Sequence, residues 1–198
     1  MMNKGSLFII SGPSGTGKGT ICNELIKHDD TFLSVSLTTR DRRNDEIEGV
    51  TYYYVSADEF RNRIENNMML EWAQYGDNCY GTPKDKVEEQ LNRGVNVILE
   101  IEVQGALKVK QQMPEAVMIF LLPPSVEALK SRLLNRDRET REEILKRISI
   151  AKGELSKAYL YDYIIINDDF DECLQTIRNI IVDRREKLDF VEKLQESI

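Results

Sequence analysis

The chain has 198 residues, enough for one globular core with small additions, and a formal charge of −7 from 34 acidic and 27 basic side chains. This acidic balance argues against a broad nucleic-acid surface, so an anionic ligand must be bound by local clusters of arginine and lysine. The three cysteines are widely spaced, which argues against a disulfide scaffold or a zinc site and favours a reducing compartment. Neither a signal-peptide pattern nor a membrane-length apolar run is present, so we expect a cytoplasmic protein that binds no membrane. The only histidine, His28, lies in a polar stretch, and chemistry that needs an imidazole is therefore not expected.

Short apolar runs alternate with amphipathic segments along the chain. The runs are LFII (7–10), VNVILEIE (95–102), AVMIFLL (116–122) and YDYIII (161–166), and helical patterns cover 18–28, 104–112, 126–135 and 170–194. Continuous apolar strands separated by helices are typical of a parallel sheet covered on both faces. The pattern predicts an α/β core of this kind.

Two stretches interrupt the alternation. Residues 36–82 mix charges with many aromatics, and TYYYV (51–55) predicts a strand outside the main sheet, as in a small α+β lobe. Residues 131–157 are rich in charge and contain little to bury, which indicates a mobile helical flap. The core then consists of residues 1–35, 83–130 and 158–198.

The stretch SGPSGTGKGT (11–20) follows the first apolar run and precedes a helix. It contains Gly12-x-x-x-x-Gly17-Lys18, the pattern of a P-loop, in which glycines let backbone N–H groups surround phosphates and the lysine neutralises the outer phosphates. Gly19 stands where the pattern has a serine or threonine for magnesium, and the hydroxyl comes one residue later, at Thr20. The predicted nucleotide-binding residues are Gly12, Pro13, Ser14, Gly15, Thr16, Gly17, Lys18, Gly19 and Thr20.

A second basic cluster, SLTTRDRR (36–43), follows the predicted strand FLSVS (32–36). Arg40 and Arg43 flank a turn at the carboxyl end of that strand, where open α/β sheets bind ligands, and arginine forks suit a phosphate group. A solvated basic loop is an equally good interpretation of this segment alone.

Seven ordered segments make the chain resemble the guanylate kinases between about Gly5 and Arg184. They are SGPSGTGKGT, SLTTRDRR, EGVTYYYVSADEF, MLEWAQYGDNCYGT, LEIEVQGA, LLPPS and YDYIIIND. The resemblance implies Mg²⁺-dependent phosphoryl transfer from ATP to GMP on a P-loop kinase core with a GMP-binding lobe (36–82) and a lid (131–157).

By matching position, the resemblance places guanine contacts at Ser36, Glu71 and Thr82. It places contacts to the GMP phosphate at Arg40, Arg43, Tyr52 and Tyr80. Glu71 also makes physical sense, because one carboxylate can accept hydrogen bonds from both N1–H and the N2 amino group of guanine, whereas adenine offers a bare acceptor at N1.

Glu100 and Glu102 end a predicted strand two residues apart and so point to one face of the sheet. They are candidates to hold hydrated magnesium or polar groups of GMP, and the family more often has aspartates here. We assign Glu100 to the GMP site, although the residues alone do not decide which of the two contacts GMP or metal-bound water.

The resemblance brings three lid arginines, Arg132, Arg136 and Arg147, to the transferring phosphoryl group, where charge develops on the equatorial oxygens. Arg132 and Arg136 are four residues apart and share a helix face. Asp137 stands where the family usually has glycine.

Two other interpretations belong to different classes. Guanylate-kinase-like domains also act as non-catalytic protein-binding modules, but those typically have a degraded P-loop. Gly19-Thr20 resembles the adenylate kinase loop, which leaves kinase action on another monophosphate as a third hypothesis. The choice between GMP and dGMP, and the formation of a homo-oligomer, stay open at this point.

Overall fold

The computed structural model describes residues 4–27, 31–134 and 141–196. Over these residues the strands are β1 (Leu7–Ser11), β2 (Thr31–Leu33), β3 (Leu37–Thr38), β4 (Tyr53–Tyr54), β5 (Met69–Tyr75), β6 (Asn78–Pro83), β7 (Asn96–Glu100), β8 (Val117–Leu122) and β9 (Tyr163–Ile166). The helices are α1 (Lys18–Leu25), α2 (Ala57–Glu65), α3 (Lys84–Asn92), α4 (Val103–Gln112), α5 (Val126–Leu134), α6 (Arg141–Leu155) and α7 (Phe170–Glu196), with a 3₁₀ turn at Ala158–Leu160. Among the helices in these ranges, none is both long and apolar enough to cross a membrane.

The larger sheet has the strand order β2-β7-β1-β8-β9, and every neighbouring pair is parallel. The predicted α/β fold with a parallel sheet is confirmed. Strand β1 lies at the centre, with Ile10 paired to Glu100 on one side and to Ile119 on the other. The carboxyl ends of the strands therefore meet at one edge, where open α/β sheets bind their ligands.

Side chains of β1 alternate between two cores because successive residues of a strand point to opposite faces. Leu7 and Ile9 pack in a cluster that also contains the buried apolar side chains of α3 and α4. Phe8 and Ile10 pack on the opposite face against α1 and α7. All four side chains are buried, and each stabilises the fold by about 1.5–3 kcal/mol.

The smaller sheet is mixed, with the order β4-β3-β6-β5. The prediction of one strand over FLSVS (32–36) is wrong at its carboxyl end. Strand β2 stops at Leu33, and the Ser34 N–H makes one more bond to the Ile98 carbonyl. The chain then leaves the larger sheet, and Leu37 pairs instead with Tyr53 and Gly81. Arg40 and Arg43 therefore follow β3 of the smaller sheet and not a strand of the larger one.

Candidate active site

The loop between β1 and α1 has a backbone that glycine alone adopts easily. Gly12 has φ 145° and Gly17 has φ 88°, both in the region that side chains disfavour. A Cβ on Gly12 would lie 2.2 Å from the Leu121 carbonyl oxygen, so the loop passes directly against β8. The glycines of the P-loop pattern are thus required by the path of the chain.

Lys18, at the first position of α1, folds back over this loop. Its Nζ donates to the carbonyls of Gly12 at 2.6 Å and Pro13 at 2.9 Å. The Thr16 hydroxyl also donates to the Pro13 carbonyl, at 2.9 Å. Burial lowers the pKa of Lys18, whereas nearby carboxylates, Glu100 above all, raise it. The ammonium group is therefore held inside the loop, facing the end of β7.

Three further residues of the predicted nucleotide site belong to the loop and the first turn of α1. Ser14 and Thr20 are exposed, and Gly19 is half-buried. A Cβ on Gly19 would lie 3.5 Å from Glu100 Oε2, an ordinary contact distance. The start of α1 therefore adjoins the Glu100 carboxylate, and sterics do not require glycine at position 19.

Asn167, which the sequence reasoning missed, joins the loop to the predicted lid residue Arg132. Its buried side-chain amide donates to the Thr16 carbonyl at 2.7 Å, and its own carbonyl accepts from Arg132 Nη2 at 3.2 Å. The sequence did contain a signal for Asn167, because it is a polar residue directly after the carboxyl end of the apolar strand β9, where such sheets bind ligands. Of the other predicted lid residues, Arg136 lies outside the described residues, as does the side chain of Arg147, whose backbone belongs to α6.

Carboxylates from three elements surround Lys18. Glu100 ends β7, Glu102 precedes α4, and Glu154 lies near the end of α6. The pKa of each is raised because neighbouring protein atoms displace water, and Lys18 opposes the rise in all three. For Glu154 the pKa reaches about 7, with Glu102 raising it further and Lys157 lowering it. The sequence reasoning missed Glu154, because only the fold brings the end of α6 to the P-loop.

A buried carboxylate lies in the smaller sheet. The register shifts by one residue between Met69 and Glu71, a β-bulge that places Glu71 directly opposite Thr82. As a result the Thr82 hydroxyl donates to Glu71 Oε1 at 2.8 Å, and both residues are buried. Burial raises the pKa of Glu71, while the bond from Thr82 and the charge of Lys108 lower it. The structure thus brings together two of the three predicted guanine contacts. Ser36 is half-buried and accepts the Tyr53 N–H through its carbonyl.

The predicted phosphate contacts are organised by Glu46, a residue that the sequence reasoning missed. Glu46 Oε1 accepts from Arg40 Nη2 at 2.6 Å, and its Oε2 accepts from the Arg43 N–H at 2.9 Å and the Tyr54 hydroxyl at 2.8 Å. These donors, Arg40 first, hold the pKa of Glu46 at about 2. The hydrogen bond to Glu46 also raises the pKa of Arg40. The side chain of Arg43 is exposed.

Two tyrosine rings adjoin Arg40 in this cluster. Tyr52 and Tyr80 meet edge to face with centroids 5.7 Å apart, and the Arg40 guanidinium lies 5.8 Å from the centre of the Tyr52 ring. Burial raises the pKa of Tyr52, and Glu100 is among the charges that raise it further. The charge of Glu100 therefore acts on both Tyr52 and Lys18.

A divalent cation that accompanies nucleotide phosphates fits the oxygen donors at the start of α1. Mg²⁺ is usually held by one or two carboxylates, hydroxyls and substrate phosphates rather than by a protein cage. Thr20 has an exposed hydroxyl on the first turn of α1, and Glu100 adjoins the same turn. Within the described part of the chain, no group of three or more His, Cys, Asp or Glu side chains forms a metal cage.

Known proteins match this chain over nearly its whole length. The family model of guanylate kinase matches residues 4–184. A guanylate kinase from Clostridium tetani is 46% identical over 197 residues, which is 100% of this chain and 93% of that protein. One from Caldanaerobacter subterraneus is 49% identical over 94% of this chain and 91% of its own length.

Solved structures give the same result. The crystal structure of guanylate kinase from Anaplasma phagocytophilum superimposes with a TM-score of 0.73 at 34% identity, and the match covers 92% of this chain and 88% of that one. Sequence, family model and fold therefore agree. The chain belongs to the guanylate kinase family.

Proposed function

We propose that this chain transfers the γ-phosphoryl group of ATP to GMP, giving ADP and GDP, the reaction of its family. The observation that carries the assignment of the acceptor is the buried Glu71 carboxylate bonded by Thr82. Guanine presents two adjacent donors to such a carboxylate. Adenine would leave a buried acceptor unpaired, which costs enough to give strong discrimination.

The GMP phosphate is assigned to the cluster of Arg40, Arg43, Tyr52 and Tyr80. Glu46 already fixes the Arg40 fork and the loop that carries Arg43, so little ordering remains when the phosphate arrives. Arginine forks and tyrosine hydroxyls suit a phosphate dianion. Glu100, whose charge acts on Tyr52, is assigned to the polar groups of GMP.

The ATP phosphates are assigned to the loop of residues 12–20. Its backbone and the start of α1 supply positive potential, and Lys18 supplies a cation that is already inside the loop. Thr20 and Glu100 are the residues proposed to hold Mg²⁺, which would neutralise charge on the transferring phosphoryl group.

The transfer itself needs positioning and charge stabilisation more than acid–base catalysis. The attacking phosphate oxygen is anionic near neutral pH, so a general base is not required. Lys18 and the lid arginines Arg132, Arg136 and Arg147 are assigned to the charge that develops in the transition state. Asn167 holds Arg132 near the loop in the arrangement seen here.

We also propose a domain division, a cellular location and a metabolic role for the chain. We divide the chain into a core (1–35, 83–130 and 158–198), a GMP-binding lobe (36–82) and a lid (131–157). The proposed location is the cytoplasm, in line with three cysteines that are all free thiols. The proposed metabolic place is purine nucleotide metabolism, through recycling of GMP.

A coupled assay of ADP release tests the proposal against its alternatives. The acceptors are GMP, dGMP, AMP, UMP and dTMP, each with ATP and Mg²⁺. Turnover with GMP well above turnover with AMP, UMP and dTMP is expected. Turnover of another monophosphate in preference to GMP would overturn the choice of acceptor. No ADP release with any of them would indicate a binding module.

A further inference from the structure

One face of α4 lies along β5 and contacts the strand that carries Glu71. Gly105, Lys108 and Gln112 follow the i, i+3, i+7 spacing of a helix face. Lys108 Nζ donates to the Trp72 carbonyl at 2.9 Å, and Gln112 Nε2 donates to the Leu70 carbonyl at 2.8 Å. These bonds hold the helix to the residues on either side of Glu71.

Gly105 is the point of closest approach between this face and the Glu71 carboxyl group. A Cβ built on Gly105 would lie 2.8 Å from Glu71 Oε2, 3.1 Å from Cδ and 3.3 Å from Cγ. The first of these distances is far below a van der Waals contact, so a methyl group and the carboxylate cannot both occupy their places. The Glu71 side chain fills the space that the missing side chain leaves.

Neither partner can move away freely. The Glu71 carboxylate is bonded by Thr82 across the strand pair. The helix is anchored by its own core residues, because Ala106 and Val109 are buried in the larger cluster. A glycine inside a helix also costs about 1 kcal/mol relative to alanine, so its presence at a buried position calls for a packing reason.

We propose that Gly105 is a positioning residue for guanine recognition: its missing side chain sets the place of the Glu71 carboxylate, so that the core helix α4 shapes the guanine pocket of the smaller sheet. This inference rests on the proposed role of Glu71. It assigns to Gly105 no contact with GMP. Its effect is transmitted through the carboxylate alone.

The test is Gly105→Ala, with Gly153→Ala as the matched control. Gly153 is also helical, but a Cβ there meets nothing within 4 Å. Gly105→Ala is expected to raise the KM for GMP by about tenfold to a hundredfold, since misplacement of a recognition group by less than 1 Å has effects of this size. The KM for ATP should stay within about twofold, and Gly153→Ala should leave the KM for GMP unchanged.

A double-variant cycle separates positioning from general damage. In a Glu71→Gln background the recognition carboxylate is already absent, so adding Gly105→Ala should change the KM for GMP by less than about twofold. Effects that multiply in the double variant, or a single variant that binds GMP normally, would overturn the inference. If Glu71→Gln alone leaves GMP use unchanged, the failure belongs to the proposed role of Glu71 instead.

Stability gives a second readout if Gly105→Ala folds poorly. Removing the side chain it would contact, in Gly105→Ala/Glu71→Ala, should restore the thermal midpoint to that of Glu71→Ala alone or raise it above, because alanine is the better helix former. A double variant that stays less stable than Glu71→Ala would show that the clash is elsewhere and would refute the inference.

Discussion

The two halves of the site are built by different means. At the end of the larger sheet, the proposed ATP-phosphate site is built mainly from backbone: a glycine loop of fixed dihedral angles, a helix start and one lysine that bonds the loop carbonyls. The proposed GMP site is built from side chains that bond one another, Thr82 to Glu71 and Arg40 to Glu46. A backbone site requires few residue types in a strict local pattern. A side-chain site requires partners that are distant in sequence. Replacing one oxygen of a carboxylate by nitrogen, as in Glu71→Gln, is enough to change what such a site binds.

The largest effect is expected in the backbone half. Lys18→Ala should lower kcat by about a hundredfold to a thousandfold, because it removes a cation aimed at charge that grows in the transition state. The loop glycines and the buried core are untouched, so the circular dichroism spectrum of the folded enzyme should change little. Lys27→Ala is the control, since Lys27 is an exposed residue paired with Glu24 at 2.6 Å. A Lys18→Ala enzyme within tenfold of full activity would contradict the proposed function.

The next effect is expected at Glu71. Glu71→Gln should raise the KM for GMP by about 10²-fold or more, because the amide offers a donor where guanine also offers donors. Steady-state kinetics at varied GMP and fixed ATP measure it. Exposed Glu65 provides the control as Glu65→Gln.

The pH dependence of the KM for GMP tests the role of Glu71 further. The pKa of Glu71 is raised by burial, so the carboxylate takes up a proton at a higher pH than an exposed glutamate does. A protonated Glu71 accepts fewer hydrogen bonds, and the KM for GMP should therefore rise as the pH falls through that pKa. The Glu71→Gln enzyme should lack this rise; its persistence would assign the titration to another group.

A smaller effect is expected at Glu46, which acts through Arg40. Glu46→Gln should raise the KM for GMP by roughly tenfold with little change in kcat, because it replaces a charge-assisted bond with a neutral one. Since the pKa of Glu46 is held at about 2, the difference should be constant between about pH 5 and pH 9. Glu48→Gln is the matched control, as Glu48 accepts only a 3.3 Å bond from the Tyr54 N–H among the described contacts. A fall in kcat with unchanged KM would argue against this role.

The smallest effect concerns stability at Glu154. Its pKa is about 7 in the fold against an ordinary 4.5, so the folded chain binds more protons than the unfolded chain between these values. The free energy of unfolding should therefore fall as the pH rises through this window. Glu154→Gln should remove that loss and be more stable than the parent by about 1 kcal/mol at pH 8, a value reduced for solvent screening of a half-buried group.

Urea unfolding at pH 4.5 and pH 8 measures this difference. Near pH 4.5 the two proteins should differ little. Glu186→Gln, an exposed position in α7, should follow the parent at both values. Equal stability of Glu154→Gln and the parent at pH 8 would show that Lys18 and Lys157 fully compensate the buried charge.

The features predicted from sequence alone were local ones. The alternating apolar runs predicted the parallel sheet, because a strand covered on both faces must be apolar throughout. Gly12, Gly17 and Lys18 predicted the loop, because its geometry depends on consecutive residues. The end of the strand predicted at FLSVS (32–36) was wrong, since only Phe32 and Leu33 belong to β2 and the next strand, β3 of the smaller sheet, begins at Leu37. The assignments of Ser36, Glu71 and Arg40 came from resemblance, and their roles in GMP binding stay predictions.

What the sequence determined by itself is the class of fold and the presence of a phosphate loop, both of which follow from short-range patterns. Only the tertiary structure decided which side chains act together. Thr82 bonds to Glu71 through a bulge in strand pairing, Glu154 on a distant helix comes within electrostatic range of Lys18, and Gly105 meets Glu71 because α4 packs on β5. These contacts depend on register and packing across long stretches of chain, and no local pattern specifies them.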